Sequence, residues 1–219
     1  PIDALVRDPV DELDEAEPRR NPLIPLPRDI FGSGRRNSAG VDLSDPLVLE
    51  PLLERLEALS ERSYVAKPTE TIRGEHPVRR ITSPHDDRIE VGVAQEATEN
   101  AIDRALRAAS AAQPAWDALG GTARGDLLVK ASDLFEAHTA ELISLCQREA
   151  GKTLVDAVLE VREAVDFLRY YACEARMLFS APQPLPGPTG EQNLLRLHGR
   201  GVFAPISPWN FPLAIFTGM

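Results

Sequence analysis

Proline is spread so unevenly along this chain that it divides the possible folds before any other residue is weighed. Nine of the 19 prolines lie within residues 1–68, whereas residues 86–181 contain only Pro114. Proline has no N–H to donate and its ring clashes with the preceding helical turn, so it ends or kinks helices and is barred from central strands. The front of the chain is therefore expected to be irregular, the middle helical, and the end a mixture of loop and strand.

Local signals fill in that outline. Asp45 followed by Pro46 predicts a capped helix running to about residue 59. Residues 78–81 and 89–93 read as short strands joined into a hairpin around Pro84-His-Asp-Asp. Three helices follow. The first covers about 96–118, with an interruption at Pro114 and Trp116 beyond it. The second covers 122–149, where Leu127, Ala131, Leu134, His138, Leu142 and Leu145 recur every three or four residues. Gly151 is expected to end it as a left-handed cap. The third, about 153–179, places Leu154, Val158, Val161, Val165, Leu168 and Ala172 on one stripe, and the short links favour antiparallel packing. Residues 182–188, with four prolines, form a stiff connector. Residues 194–197 and 202–206 then read as strands around His198-Gly-Arg-Gly201, the second nearly all apolar as buried parallel strands are. Strands and helices in this arrangement predict an α/β fold.

Seven acids within residues 1–20 read as a solvated tail or linker. Residues 21–43 mix apolar anchors with helix breakers, the pattern of an extended arm laid on another surface. The Gly32-Ser-Gly34-Arg-Arg stretch lacks both the strand and the Gly-Lys-Ser/Thr ending of a phosphate loop. A net charge of −10 opposes binding to nucleic acid or anionic lipid. The opening residues do not read as a signal peptide. Residues 201–219 carry no charge and approach membrane-spanning length, but Pro205, Pro208, Pro212 and Asn210 suit a buried segment better than a bilayer. The chain starts on Pro1 and stops at Met219, directly after its most apolar stretch, so we expect a fragment.

Candidate chemistry is sparse. Cys146 and Cys173 sit inside helical patterns, which points to structural thiols in a reducing compartment rather than disulfides or nucleophiles. His76, His85, His138 and His198 lack metal-ligand spacing, so no metal is expected. Glu160 and Glu163 share part of one helix face, either as a carboxylate pair or as a solvated charged surface. Glu149 and Lys152 read as serving a helix end. Asn210, between Pro208 and Pro212, is a candidate pre-aimed donor for a reaction oxyanion; the competing reading is an amide that merely satisfies nearby backbone.

Taken together these residues resemble the N-terminal part of an aldehyde dehydrogenase. The resemblance rests on Ala109, Trp116, Arg124 and Leu128, on Glu149-Ala-Gly-Lys152, on Glu160-Val-Arg-Glu-Ala-Val-Asp-Phe-Leu-Arg-Tyr-Tyr-Ala172, and on Ile206-Ser-Pro-Trp-Asn-Phe-Pro212. It implies the first helices and strands of an NAD-binding domain, truncated. The front resembles the junction of the bifunctional proline utilization A family, through Ile2-Asp-Ala-Leu-Val-Arg-Asp-Pro-Val10, Asn21-Pro-Leu-Ile-Pro-Leu-Pro-Arg-Asp-Ile-Phe-Gly32 and Arg36-Asn-Ser-Ala-Gly-Val-Asp-Leu-Ser44. In that family a flavin-dependent proline dehydrogenase barrel precedes an aldehyde dehydrogenase for L-glutamate γ-semialdehyde. Residues 1–10 would then be the tail of the first module, 11–70 a connecting arm with one helix, and 71–219 the incomplete second module.

The resemblance implies NAD-dependent oxidation of L-glutamate γ-semialdehyde, formed from 1-pyrroline-5-carboxylate, to L-glutamate: the second step of proline degradation. Asn210 would donate to the oxyanion of a thiol adduct. Ile206, Ser207, Pro208 and Trp209 would line the NAD groove, while Phe211 and Glu163 would face the substrate. The nucleophilic cysteine, the catalytic glutamate and the glycine-bearing cofactor helix would lie beyond residue 219, and FAD would belong to the other module. These residues alone are thus expected to be inactive. Partners implied are a small-molecule substrate and the remainder of the polypeptide, with a homo-oligomeric intact protein, no nucleic acid bound by this segment and no transmembrane segment. The implied location is cytoplasmic, with peripheral membrane association as an alternative for the intact protein. Two rival readings are another semialdehyde dehydrogenase and a non-catalytic docking or oligomerisation segment.

Overall fold

The structure, a computed structural model, describes residues 2–15, 21–68 and 77–219. His76 and the expected boundary at residues 70–71 lie outside them. Three of the helices, numbered in chain order, start where a side chain satisfies an orphan backbone N–H. In α3 (Pro46–Ala58) the Leu47 N–H donates to Asp45 Oδ1 at 2.9 Å, behind Pro46 at the first position. α4 (Glu99–Ala118) is capped by Thr98, whose hydroxyl accepts from the Ala101 N–H at 3.3 Å. The 26-residue α7 (Leu154–Phe179) begins at Thr153, which exchanges contacts with the Asp156 N–H and carboxylate. Between them lie α5 (Gly120–Ala137) and α6 (Thr139–Ala150), the latter ended by Gly151 at φ 67°, as expected of a left-handed cap.

α7 is the central rod. Its stripe of Ala157, Val158, Val161, Ala164, Val165, Leu168 and Ala172 is buried, the three-to-four spacing placing one apolar face inward. Leu52 of α3 and Ile143 and Cys146 of α6 close a core against it. Gly121 and Gly125, one turn apart, let α5 lie directly on α7: a side chain at Gly125 would sit 2.9 Å from the Ala172 carbonyl oxygen. Arg148 of α6 donates to the carbonyls of Leu59 and Arg62 at 3.1 and 2.7 Å, satisfying acceptors left over at the end of α3.

The strands form a small mixed sheet at one side. β1 (Tyr64–Ala66) pairs parallel to β3 (Asp86–Gln95), and β2 (Val78–Ser83) pairs antiparallel on its other edge, with a register shift near Thr82. β4 (Gln183–Leu185) and β5 (Asn193–Leu195) make a separate two-stranded ribbon, a setting that tolerates Pro184. α8 (Ala214–Gly218) packs on α7. Among the described residues no helix is long and apolar enough to cross a membrane.

The arm lies on this helical layer. Asn37 and Ser38 are buried, the Ser38 N–H and hydroxyl donating to the Asp166 carboxylate at 2.6 and 2.9 Å. The Ala39 N–H donates to Glu136 at 3.0 Å, and Arg169 donates to the Asn37 carbonyl at 2.9 Å. Gly40, at φ 71°, brings the chain so near Arg162 that a side chain there would meet its Cδ and Nε at 3.2 Å. The Gly32-Ser-Gly34 stretch is thus part of a docked arm; Arg35 stacks over Phe31 at 4.0 Å.

Four expectations are corrected. Within the acidic front the described residues include two helices, α1 (Ile2–Leu5) and α2 (Pro9–Glu15): Asp8 accepts from the Val10 N–H at 2.8 Å, and Pro9 opens the second helix. Pro114 does not interrupt α4, because that helix is mostly exposed and water can serve the carbonyl left free. The helix expected over 122–149 is two helices broken at His138, where the Thr139 hydroxyl takes the Glu136 carbonyl at 2.7 Å. His138 is exposed at the joint. Finally, residues 202–206 form no strand: among the described residues none runs alongside to accept their hydrogen bonds.

Candidate active site

The turn that carries Asn210 leaves the ribbon as irregular chain and ends at α8. Its main chain is held by two charged side chains from the helical layer. Lys152, just past the Gly151 cap, donates from Nζ to the Asn210 carbonyl oxygen at 2.7 Å. The same Nζ lies 3.0 Å from Glu160 Oε1 and 4.8 Å from the centre of the Phe211 ring. Glu160 rises from α7 with 2% exposure. Its Oε2 accepts from the Leu213 and Ala214 N–H groups at 3.2 and 2.8 Å, the donors at the start of α8.

This overturns two sequence expectations. Glu160 does not share a solvated face with Glu163, and Lys152 reaches far beyond its own helix end. A signal for the first was present: Glu160 sits one turn after Ala157 and one before Ala164, on the apolar stripe, where a charge implies a buried partner. Cys146 lies nearby and is buried. Burial first, and then the charge of Glu160, push its thiol up to about 12, with Lys152 opposing, so it holds its proton at neutral pH. Cys173 points to the Gly34 carbonyl at 3.7 Å. Both behave as structural thiols.

The remaining candidates are distributed as follows. The Asn210 carboxamide is exposed, and among the described residues no hydrogen-bond partner engages it. Phe211 is partly covered by Lys152. Ser207 and Pro208 are half-buried, while Ile206 and Trp209 stand 85% and 90% exposed. Glu163 is exposed on α7 without an ion pair among the described residues, and nothing brings it to Phe211. Thus Asn210, Phe211, Lys152 and Glu160 are gathered at one place, and Glu163 is not tied to them. Among the described residues no group of three His, Cys, Asp or Glu is placed to hold a metal ion.

Beside the turn runs a groove of about 520 Å³, lined by Trp209, Pro212, Leu213, Leu145, Cys146 and Glu149. A dinucleotide needs flat apolar surface for its rings and free main-chain N–H groups for its pyrophosphate. Trp209, Ile206 and Pro212 offer the first. The second is not available at this turn, because Glu160 already takes the N–H groups of Leu213 and Ala214. The turn therefore offers apolar surface to a flat ring, and at Leu213 and Ala214 no free N–H to a phosphate. Another cavity, about 360 Å³ between the arm, α3 and α7, is lined by none of these residues.

Comparison with known proteins places the geometry in context. A model of the aldehyde dehydrogenase family matches residues 72–219. The bifunctional protein PutA of Salmonella typhimurium is 39% identical over 225 residues, an alignment covering 100% of this chain and 16% of that protein. A crystal structure of a Bradyrhizobium japonicum proline utilization A (PutA) mutant superposes with a TM-score of 0.73 at 38% identity, covering 100% of this chain and 19% of its own. The 1-pyrroline-5-carboxylate dehydrogenase from Thermus with bound NAD reaches a TM-score of 0.74 at 30% identity, over 84% of this chain and 36% of its own. The chain thus spans about one sixth of the length of the curated PutA relatives it matches.

Proposed function

The chain belongs to the aldehyde dehydrogenase family, and from that premise we propose that it is the opening part of the dehydrogenase module of a bifunctional proline-catabolic enzyme. The observation that carries this reading is the extent of the match. Similarity to bifunctional PutA runs through all of the chain, arm included, whereas the Thermus dehydrogenase accounts for 84% of it. The reaction is oxidation of L-glutamate γ-semialdehyde to L-glutamate with NAD, in a longer polypeptide. Exposed Phe203, Ile206 and Trp209 support that setting, since apolar surface of this kind is normally covered by further chain. We extend the reading to a homo-oligomeric cytoplasmic enzyme.

The residues of this chain have defined tasks in it. Asn210 donates its side-chain N–H to the oxygen that becomes negative as a thiolate adds to the aldehyde, and a hydrogen bond formed there lowers that barrier. Phe211 packs against the substrate's carbon chain, and Glu163 faces the substrate from its separate, exposed position on α7. Trp209, Pro208, Ser207 and Ile206 present the surface for the cofactor's rings; NAD, when bound, accepts the hydride. Neither thiol here supplies the nucleophile, since Cys146 stays protonated and Cys173 is turned to the arm. Residues 1–219 alone are therefore inactive.

The test is Asn210→Ala in the full-length polypeptide, assayed by NADH formation from glutamate semialdehyde. Turnover should fall about 10²–10³-fold while NAD binding is retained. Unchanged turnover would remove Asn210 from the chemistry. NADH formation by the isolated 219-residue chain would overturn the claim of inactivity.

A further inference from the structure

Lys152 and Glu160 hold the Asn210 turn by its main chain at three points, and we infer that they are positioning residues that aim Asn210 and Phe211. The inference deepens the function proposed above and rests on the role of Asn210 in it. Three observations carry it. Among the described residues no strand runs directly into the turn and the Asn210 carboxamide has no partner, so neither fixes its direction. The polar contacts that tie residues 210–214 to the helical layer are those from Lys152 to the Asn210 carbonyl and from the Leu213 and Ala214 N–H groups to Glu160. Lastly, Glu160 is buried and its charge is met by Lys152.

A buried ion pair is a poor way to gain stability, because desolvation consumes most of the attraction and apolar residues of equal volume do as well or better. What it supplies is direction. Lys152 spends its charge on Glu160, so it does not itself serve as an electrophile. Its donors fix where the carbonyl of Asn210 points, and with it the adjoining side chain. Its charge over the Phe211 ring fixes the next residue along. Glu160 anchors the start of α8, two residues further. The clamp therefore spans both faces of the proposed site: the donor to the oxyanion and the wall for the substrate.

The experiment uses the full-length polypeptide and four variants: Lys152→Met, Lys152→Arg, Asn210→Ala, and Lys152→Met combined with Asn210→Ala. A misplacement of about 1 Å costs on the order of 10²-fold, so Lys152→Met should lower kcat about 10- to 100-fold with NAD affinity unchanged. Lys152→Arg should recover part of the loss. If Lys152 works through Asn210, adding Lys152→Met to Asn210→Ala should cost less than about two-fold more. Amide exchange at Leu213 and Ala214 should quicken in the Lys152→Met protein. Should Lys152→Met fail to fold around an unpaired Glu160, Lys152→Met with Glu160→Gln keeps the site neutral and answers the same question. Full turnover by Asn210→Ala would sink the role of Asn210 while exchange still reports the clamp. Losses that multiply in the combined variant, or unchanged exchange and kcat in Lys152→Met, would overturn the clamp itself.

Discussion

Replacing Arg169 by Met would test whether the arm is fastened by a buried charge. Arg169 is 5% exposed and donates to the Asn37 carbonyl at 2.9 Å, the Ser132 hydroxyl at 3.2 Å, Glu136 at 2.7 and 3.2 Å, and Asp133 at 3.2 Å. The Asn37 carbonyl loses this donor, and an unsatisfied buried acceptor costs about 1–3 kcal/mol. Glu136, with 28% side-chain exposure, loses a two-pronged charged pair, and solvent screening limits that loss to about 1 kcal/mol. Asp133, at 64%, contributes little. Methionine fills the space, leaving a net loss of about 3 kcal/mol. For a chain of this size each kcal/mol moves Tm by about 2–4 °C, so a drop of roughly 6–12 °C is expected by calorimetry. Exchange at Asn37 and Ala39 should quicken most. A Tm within about 2 °C of the parent, or an equal loss from Asp133→Asn, would refute the assignment of Arg169 as the fastening.

Two further outcomes follow from titratable groups. Burial alone would raise Glu136, but the Arg169 hydrogen bonds, the Ala39 N–H and the charges of Arg169 and Arg36 outweigh it and hold the carboxyl below its ordinary range. A depressed folded value adds stability above the unfolded one and loses it as pH falls through the folded one. The arm should therefore stay docked at neutral pH and loosen on acidification below about pH 4.3; amide exchange at Ala39 against pH would report it, and Glu136→Gln should flatten the profile. For the thiols, Cys146 is held near 12 and buried, so iodoacetamide at pH 8 should label Cys173 well ahead of it, read by peptide mass.

Much of the helical architecture could be read from residues in order, because caps and stripes are local. Asp45-Pro46, the turn at Pro84 and Gly151 each act within a few residues, and all three appear where the chain predicts them. The break at His138 could not be read, since apolar spacing runs on through a one-residue joint. Strand formation at 202–206 depends on a neighbour, and an apolar run cannot say whether one is present. Likewise Lys152 to Asn210 and Glu160 to Ala214 span 58 and 54 residues. Glu160 gave a clue by standing in an apolar stripe; Lys152, beside a glycine cap, read equally well as a dipole partner.

The rod α7 carries both attachments: Glu160 holds the turn, and Arg169, nine residues on, holds the arm. At 1.5 Å and 100° per residue the two stations lie about 13.5 Å apart along one axis, at a fixed angular offset. Adding or deleting one residue between them would swing one station by about 100° relative to the other. Both attachments therefore hold only while the residue count between positions 160 and 169 is kept, whereas a residue added in the connector between β4 and β5 would leave the two stations in place.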